Sequence, residues 1–266
     1  MAPMATTGLL TDAGIRVEQE GAVVSLSLAR PGTRNAQTPA TWRGLAAVGA
    51  SLGPDVRAII IRAEGKSFSA GLDRRMFAEG IPGEVSLASL ARLTDAGTDS
   101  AIEEFQRGFA CWRECDAITV AAVQGHAVGA GFQLALAADL MVVADDVQLS
   151  MRETQLGLVP DLGGSHALVA AVGYSRALEI CATGRWIHAG EAVASGIAVA
   201  STPREQLDEF VQILVQTMLH APAGALTETK HLLRGASNRT PQEQQAAERH
   251  AQRRRILDLA SAINGQ

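Results

Sequence analysis

The sequence predicts an α/β fold over about its first 200 residues, followed by an all-helical region. Apolar strand-like runs alternate with helical patterns up to that point, as expected of repeated strand–strand–helix units. One run, Val56–Arg62, is almost continuously apolar, which is typical of a strand in a sheet covered on both faces. Beyond Thr202 only helical patterns remain, over 204–220, 222–235 and 241–261. We therefore predict an α/β unit over residues 1–200 and a helical region over residues 201–266.

The elements of the first half follow from alternation and capping signals. Alternating apolar and polar residues predict a hairpin over 15–29. Thr38 or Thr41 then caps an amphipathic helix. The pattern over 76–98 is weak, with scattered Gly, Pro and Ser, and we interpret it as an insertion or as short helices. A longer helix is expected over 101–115.

The second half predicts short strands and short helices in alternation. Apolar runs predict strands over 118–123, 140–144, 147–151 and 197–200, and helical patterns cover 132–138, 165–171, 174–182 and 189–195. The most apolar window, 126–144, is interrupted by glycines and by Gln133 and Asp139. This suits a buried helix followed by a strand better than a membrane span.

Composition excludes several classes of function. The net charge of −5 and the lack of a basic face argue against nucleic acid as a main partner. The three cysteines are sparse, and the N-terminus has no secretory pattern, so we expect reduced thiols in the cytoplasm. Cys111 and Cys115 are one helical turn apart. No other Cys or His stands at ligand spacing, so no metal site is expected.

Two glycine-containing loops can each present a backbone donor. The first, Glu64–Asp73, follows a strand, and its Ala-Gly-Leu run can present the N–H of Leu72. The second, Gln124–Gly131, leads from a strand into a helix and can present the N–H of Ala130 at the helix start. Two converging donors make an oxyanion hole, each contributing on the order of 3 kcal/mol to a transition state.

A third glycine loop, Leu156–Gly164, is associated with two carboxylates. Glu153 stands at its entrance and Asp161 at its glycine-rich exit. An oxyanion hole suits a thioester carbonyl that becomes an enolate, and that chemistry needs a carboxylate near the acyl chain to move a proton. The three loops together therefore predict acid/base chemistry on a thioester.

The three loops carry a family resemblance. The segments are Ser67–Asp73 (SFSAGLD), Gln124–Gly131 (QGHAVGAG) and Leu156–Gly164 (LGLVPDLGG). In this order and spacing the chain resembles the crotonase (enoyl-CoA hydratase/isomerase) superfamily over about residues 15–262. The resemblance implies a crotonase-like spiral of ββα units with a C-terminal helical trimerisation region, assembled as a homotrimer or a dimer of trimers. It also implies an acyl-CoA substrate, with no cofactor beyond the coenzyme A of that substrate.

The resemblance assigns binding roles to individual positions. Leu72 matches the first oxyanion donor, and Ala130 matches the second, where the family often has glycine. Basic and neighbouring positions are implied to contact coenzyme A: Arg34, Ala70, Asp73, Arg74 and Arg75.

The acid/base positions depart from the hydratase pattern. Hydratases of this family handle water with two glutamates; Glu153 matches the second, whereas Gln133 occupies the first and can orient a water but cannot take its proton. Asp161 matches a position that is acidic in some isomerase-like members. The sequence therefore favours double-bond isomerisation, with Glu153 as principal acid/base, Asp161 second and Gln133 orienting water or substrate.

Two alternatives stay open. One is hydration, with Glu153 alone activating a water held by Gln133. The other is a catalytically silent acyl-CoA-binding protein. A nucleotide-binding module is disfavoured, because no acidic residue follows a second strand about 20 positions beyond the glycine turn.

Overall fold

The computed structural model describes residues 7–77 and 80–264. The strands are β1 (Thr7–Leu10), β2 (Ile15–Glu20), β3 (Val23–Leu28), β4 (Ala58–Ala63), β5 (Ile118–Val123), β6 (His126–Val128), β7 (Leu140–Ala144), β8 (Gln148–Ser150), β9 (Ile187–His188) and β10 (Ala200–Thr202). The helices are α1 (Pro39–Ser51), α2 (Leu87–Leu90), α3 (Asp95–Glu114), α4 (Ala130–Ala137), α5 (Gly164–Val172), α6 (Tyr174–Thr183), α7 (Ala189–Ala194), α8 (Leu207–Leu219), α9 (Ala223–Gly235) and α10 (Pro241–Asn264).

The strands form two sheets. The larger has the order β1-β2-β3-β4-β5-β7-β10, in which β1, β2 and β3 pair antiparallel and the strands from β3 to β10 pair parallel. The smaller has the order β6-β8-β9. Because the chain returns to one sheet or the other between helices, successive strand–strand–helix units wind into a spiral. The predicted mixed α/β crotonase-like fold is thus confirmed.

Helices cover both faces of the larger sheet. In β4, Ile59 and Ile61 join the main core, whereas Ala58 and Ile60 join a second core on the opposite face. Leu207 of α8 contributes to that second core. Burial on both faces explains why this strand is apolar at nearly every position.

The structure refines several predicted boundaries. Thr38 is the residue that caps α1, with its hydroxyl accepting the N–H of Thr41. Among the described residues, the weak 76–98 segment contains the last residue of a 3₁₀ helix (Arg74–Met76), then α2 and the start of α3, which Thr94 caps. Residues 78–79 lie outside the described part. The last strand was expected over 197–200 but spans Ala200–Thr202. Its pairing with β7 starts only where Val199 donates its N–H to the carbonyl of Met141.

The helical character beyond Thr202 was also expected. After a short 3₁₀ helix over Arg204–Gln206, helices α8, α9 and α10 follow. The division of the chain at residue 200, and a role of the last helices in oligomerisation, stay predictions. In the part of the chain that the structure describes, every helix is too short or too polar to cross a membrane.

Candidate active site

The first glycine loop runs beside β6 before reaching Leu72. Ser69 donates its N–H to the carbonyl of His126 at 2.9 Å and accepts the N–H of Val128 at 3.0 Å. Beyond it, Gln37 donates to the Gly71 carbonyl at 2.7 Å, and Asp73 donates to the Gln37 carbonyl at 2.8 Å. The Gly71 carbonyl and the Asp73 N–H, which precede and follow the Leu72 N–H along the backbone, are thus both hydrogen-bonded to Gln37.

The second glycine loop brings the start of α4 against the first. Gly129 has φ +51° and ψ −120°, a conformation that favours glycine, and it precedes Ala130, the first residue of α4. A Cβ on Gly71 would lie 2.4 Å from the Val128 carbonyl oxygen and 3.6 Å from the Ala130 nitrogen. Glycine at position 71 is therefore what allows the two turns to touch.

Leu72 and Ala130 both retain free backbone donors. Within residues 7–77 and 80–264, neither N–H donates to a protein acceptor. For Ala130 this follows from its place at a helix N-terminus, where the first N–H groups have no intrahelical partner. Two free donors on turns that touch are compatible with an oxyanion hole, and the convergence of both N–H groups on one oxygen stays a prediction.

Glu153 lies beside this pair of turns. It begins a 3₁₀ helix (Glu153–Leu156) after β8 and is only 8% exposed. A Cβ on Gly129 would be 3.2 Å from Glu153 Oε1 and 3.7 Å from Oε2. Oε1 accepts a hydrogen bond from Gln133, whereas Oε2 is buried and has no partner among the described residues. A buried carboxylate oxygen that accepts no hydrogen bond still has its lone pairs available to accept a proton.

Burial sets the protonation of this carboxylate. It raises the pKa of Glu153, because a charged carboxylate loses hydration there, and the negative charge of Asp161 raises that pKa further. The backbone N–H of Glu153 itself and, after it, the hydrogen bond from Gln133 oppose this rise. A carboxyl group with a raised pKa holds a proton more readily than an exposed glutamate and is a stronger base when it is ionised.

Asp161 is the second carboxylate of the site. It lies in the third loop, where burial raises its pKa as well. Gln106 of α3 donates to its main-chain carbonyl at 2.7 Å. The structure thus brings Glu153 and Asp161 close enough to interact, as their flanking positions in the sequence suggested.

Gln133 is buried in α4 and bound entirely by protein groups. Its Nε2 donates to Glu153 Oε1 at 2.6 Å, and its Oε1 accepts the N–H groups of Leu162 at 2.9 Å and Gly164 at 3.2 Å. One amide N–H remains for water or substrate, so the predicted direct contact with either stays a prediction.

The positions assigned to coenzyme A lie around the first loop. Arg34 is exposed, and its carbonyl accepts the N–H of Ala70, which is exposed too. Arg74 and Arg75 are exposed. The carboxylate of Asp73 is buried and holds Arg75 through Nε at 3.0 Å and Nη2 at 2.8 Å, which lowers the pKa of Asp73. Its side chain therefore orients a basic neighbour.

Sequence reasoning missed the buried polar groups that shape the first loop. Asn35 donates to the carbonyls of Glu64 and Ser67, and its own carbonyl accepts the Ser69 hydroxyl at 2.8 Å. Gln37 donates to that hydroxyl and accepts the indole N–H of Trp42. The only signal was the presence of uncharged polar residues in otherwise apolar stretches, which does not identify partners some 30 positions away.

Comparisons with known proteins show which proteins the chain resembles. Residues 18–258 match the family model described as enoyl-CoA hydratase/isomerase. The chain is 32% identical over 249 residues to a probable enoyl-CoA hydratase of Mycobacterium tuberculosis, which covers 93% of this chain and 88% of the relative. It is 29% identical to a carnitinyl-CoA dehydratase of Salmonella enteritidis, over 86% of this chain and 83% of the relative.

Solved structures show the same fold. A Thermobifida fusca protein assigned as an enoyl-CoA hydratase superposes with a TM-score of 0.92 at 42% identity, covering 98% of this chain and 99% of the other. Crystal structures of that protein include complexes with acetoacetyl-CoA and with CoA, with TM-scores of 0.91 at 41% identity in both. The acetoacetyl-CoA complex covers 97% of this chain and 100% of the other, and the CoA complex covers 98% and 99%.

Proposed function

The chain belongs to the enoyl-CoA hydratase/isomerase family, and we propose that it moves a carbon–carbon double bond along the acyl chain of a coenzyme A thioester. The observation that carries this proposal is the buried, unpartnered Oε2 of Glu153, next to the turn that presents the Ala130 N–H. A base and an oxyanion donor on the same side of a thioester can remove a proton and hold the resulting charge.

The proposed reaction balances without water. Glu153 Oε2 takes a proton from a carbon of the acyl chain, and the electron pair moves through the double bond onto the thioester oxygen. The N–H groups of Leu72 and Ala130 stabilise that oxygen as an enolate. The electrons then return, and a proton is delivered to another carbon of the chain. No atom is added, so product and substrate have the same mass.

Asp161 is proposed as the second proton-transfer group. Its pKa is raised, so it can hold a proton where an exposed aspartate would have lost it. Glu153 can return the proton itself, or Asp161 can supply one at the far end of the shifted double bond. Burial raises the pKa of both carboxylates, and the charge of Asp161 adds to the rise at Glu153, so both groups are suited to holding and releasing a proton in this way.

We propose that coenzyme A lies along the first loop. Arg34, Arg74 and Arg75 are exposed there and can pair with phosphates. Ala70 and Leu72 line the loop between them, and Asp73 fixes the guanidinium of Arg75. The complexes of the Thermobifida fusca protein with CoA and acetoacetyl-CoA support this ligand class. No further cofactor is proposed.

Hydration of a 2-enoyl-CoA is the second candidate. It is favoured by the relatives, which include probable enoyl-CoA hydratases and a dehydratase. In this reaction Glu153 would activate a water, with the remaining N–H of Gln133 as an amide donor to it. The hydrogen bonds that Gln133 already makes to protein groups leave it less free to handle water than a second carboxylate would be.

Product analysis separates these reactions. A 2-enoyl-CoA and a 3-enoyl-CoA are incubated separately with the protein, and the products are identified by mass and chromatography. We expect interconversion of the two at unchanged mass. A product heavier by one water would favour hydration, and tight binding without turnover across chain lengths would favour a silent acyl-CoA-binding protein. Either result would contradict the proposed isomerisation.

The assembly is proposed to be a cytoplasmic homotrimer or dimer of trimers. Helix α10 exposes Ile256, Leu257 and Leu259, and α9 exposes Leu233. These apolar side chains are suited to a subunit interface at the helical end of the chain. Light scattering on the protein in solution tests this, and a monomeric mass would contradict it.

A further inference from the structure

The amide of Gln133 has a fixed orientation. Its oxygen accepts two backbone N–H groups of the third loop, and its nitrogen donates to Glu153 Oε1. Turning the amide over would set its NH₂ group against the N–H groups of Leu162 and Gly164, and its oxygen against the carboxylate. Because Gln133 is only 1% exposed, bulk water cannot supply the hydrogen bonds that the turned amide would lose. The side chain therefore connects the third loop to Glu153 in one way only.

The surrounding backbone is built around this side chain. A Cβ on Gly164 would lie 2.6 Å from Gln133 Cγ and 3.0 Å from its Oε1, so only glycine lets α5 begin so close. On the other side, the space beside Gly129 is filled by the Glu153 carboxylate. The carboxylate is thereby held between a glycine turn and the amide, and its Oε2 is left free.

A carboxylate at position 133 would behave differently from the amide. One of its oxygens could still accept the two loop N–H groups, but the other would face Glu153 Oε1 at the present 2.6 Å separation. Two carboxylates that close cannot both ionise, so they would share one proton and titrate as a pair. Gln133 supplies a permanent hydrogen in the place of that shared proton.

No cationic group among those described next to Glu153 would offset the repulsion between carboxylates at positions 133 and 153. Asp161 of the third loop adds a negative charge that raises the pKa of Glu153, and burial, together with the charge of Glu153, raises the pKa of the Cys181 thiol of α6. Arg152 is adjacent in sequence, but its guanidinium stacks on Trp186 at 4.3 Å from the ring centroid. His166 of α5 is exposed.

We infer that Gln133 is a positioning residue that occupies Oε1 of Glu153, leaves Oε2 as the oxygen of that carboxylate that transfers protons, and avoids the shared proton that an acid at position 133 would impose. The inference rests on the proposed function for what Oε2 does, but not for how it is held. On this inference Gln133 influences the reaction in two ways. It leaves Oε2 as the oxygen of Glu153 that transfers protons, and its hydrogen bond to Oε1 affects the pH at which Glu153 ionises.

The test is Gln133→Glu, measured in two ways. In turnover of a 3-enoyl-CoA, the acid limb of kcat/KM moves upward by about one pH unit or more, because the pair retains a proton. In thermal unfolding, Tm falls relative to wild type as pH rises from about 5 to 8. The folded pair has a pKa above that of unfolded glutamate, so its stabilisation is present at low pH and lost above that pKa.

Two further variants keep the result interpretable. Gln212→Glu adds the same charge at an exposed position of α8, and both pH profiles should match wild type. Gln133→Met removes both hydrogen-bonding ends without adding charge; kcat should fall at least about tenfold with KM little changed, since Glu153 loses its orientation.

Unshifted profiles in Gln133→Glu, or wild-type kcat in Gln133→Met, would overturn the inference. The unfolding measurement needs no turnover. If the proposed function fails because the wild type does not isomerise, a pH-dependent Tm difference still supports the paired carboxyls, and a constant difference still refutes them.

Discussion

Burial without a neighbouring cation is what makes Glu153 suited to proton transfer. Elsewhere in the molecule, carboxylates such as Asp73 and Glu228 are bound by arginines, and their pKa values are lowered. Glu153 instead has an amide on one oxygen, a second carboxylate nearby and a raised pKa. The chemistry of the site therefore depends on which single residues stand beside one carboxyl group.

This arrangement predicts the pH dependence of the wild-type enzyme. Glu153 must be ionised to take a proton, so kcat/KM should fall as pH decreases through its raised pKa, above the value of about 4.3 for an exposed glutamate. A pH series with a 3-enoyl-CoA substrate measures this. An acid limb at or below that ordinary value would contradict the assignment.

The candidate site positions could be proposed from the sequence because they lie in or beside local motifs, and their roles stay predictions. Leu72 and Ala130 follow glycines whose backbone conformations and close contact leave N–H groups free, and Glu153 and Asp161 flank a third glycine loop. The role of Gln133 as a link between Glu153 and two backbone N–H groups could not be predicted. It depends on contacts 20 to 31 positions apart, which one sequence does not reveal.

At the scale of elements, an ion pair of Lys230 with Asp139 connects helix α9 to the residues that precede β5 and β7. Lys230 of α9 is 7% exposed and donates to the Ala117 carbonyl at 2.7 Å and to Asp139 at 2.8 Å. Asp139 also accepts the N–H and hydroxyl of Thr119, at the start of β5. Sequence periodicity predicted α9 but not this attachment, because a lysine in a helical pattern is ordinarily solvated.

Removing this lysine should destabilise the fold. In Lys230→Met the carboxylate of Asp139 loses its cation, at a cost of about 3 kcal/mol in the free energy of unfolding. Arg234→Met is the matched control: it lies on the same helix and donates to carbonyls of α3, but it is exposed, so a loss of about 1 kcal/mol or less is expected. Denaturant titration measures both, and equal losses would refute a special role for Lys230.

Strand positions were predicted best where burial dictates composition. The apolar runs of β4, β5 and β7 lie between two cores and were found from their composition. The displaced last strand was not, because Ile197 and Ala198 are buried in a loop rather than in the ladder. Burial leaves the same apolar signal in both settings.

At the scale of the whole molecule, the spiral brings together three loops from distant parts of the chain. The first loop follows β4 of the larger sheet, the second connects β6 of the smaller sheet to α4, and the third precedes α5. In the proposed site, the first two loops each supply a backbone donor, and the third supplies Asp161 next to Glu153, which precedes it. The fold class was predictable from alternation of elements, whereas the meeting of these loops came from the family resemblance.

The central claim is that Glu153 performs proton transfer on an acyl-CoA, and Glu153→Gln tests it most directly. Turnover of a 3-enoyl-CoA and binding of acetoacetyl-CoA are measured on the same preparation, with Glu205→Gln, an exposed change of the same kind, as the control. We predict that kcat falls by about a thousandfold while the Kd stays near that of wild type. Glu153→Gln protein that turns over substrate at the rate of the control would contradict the account.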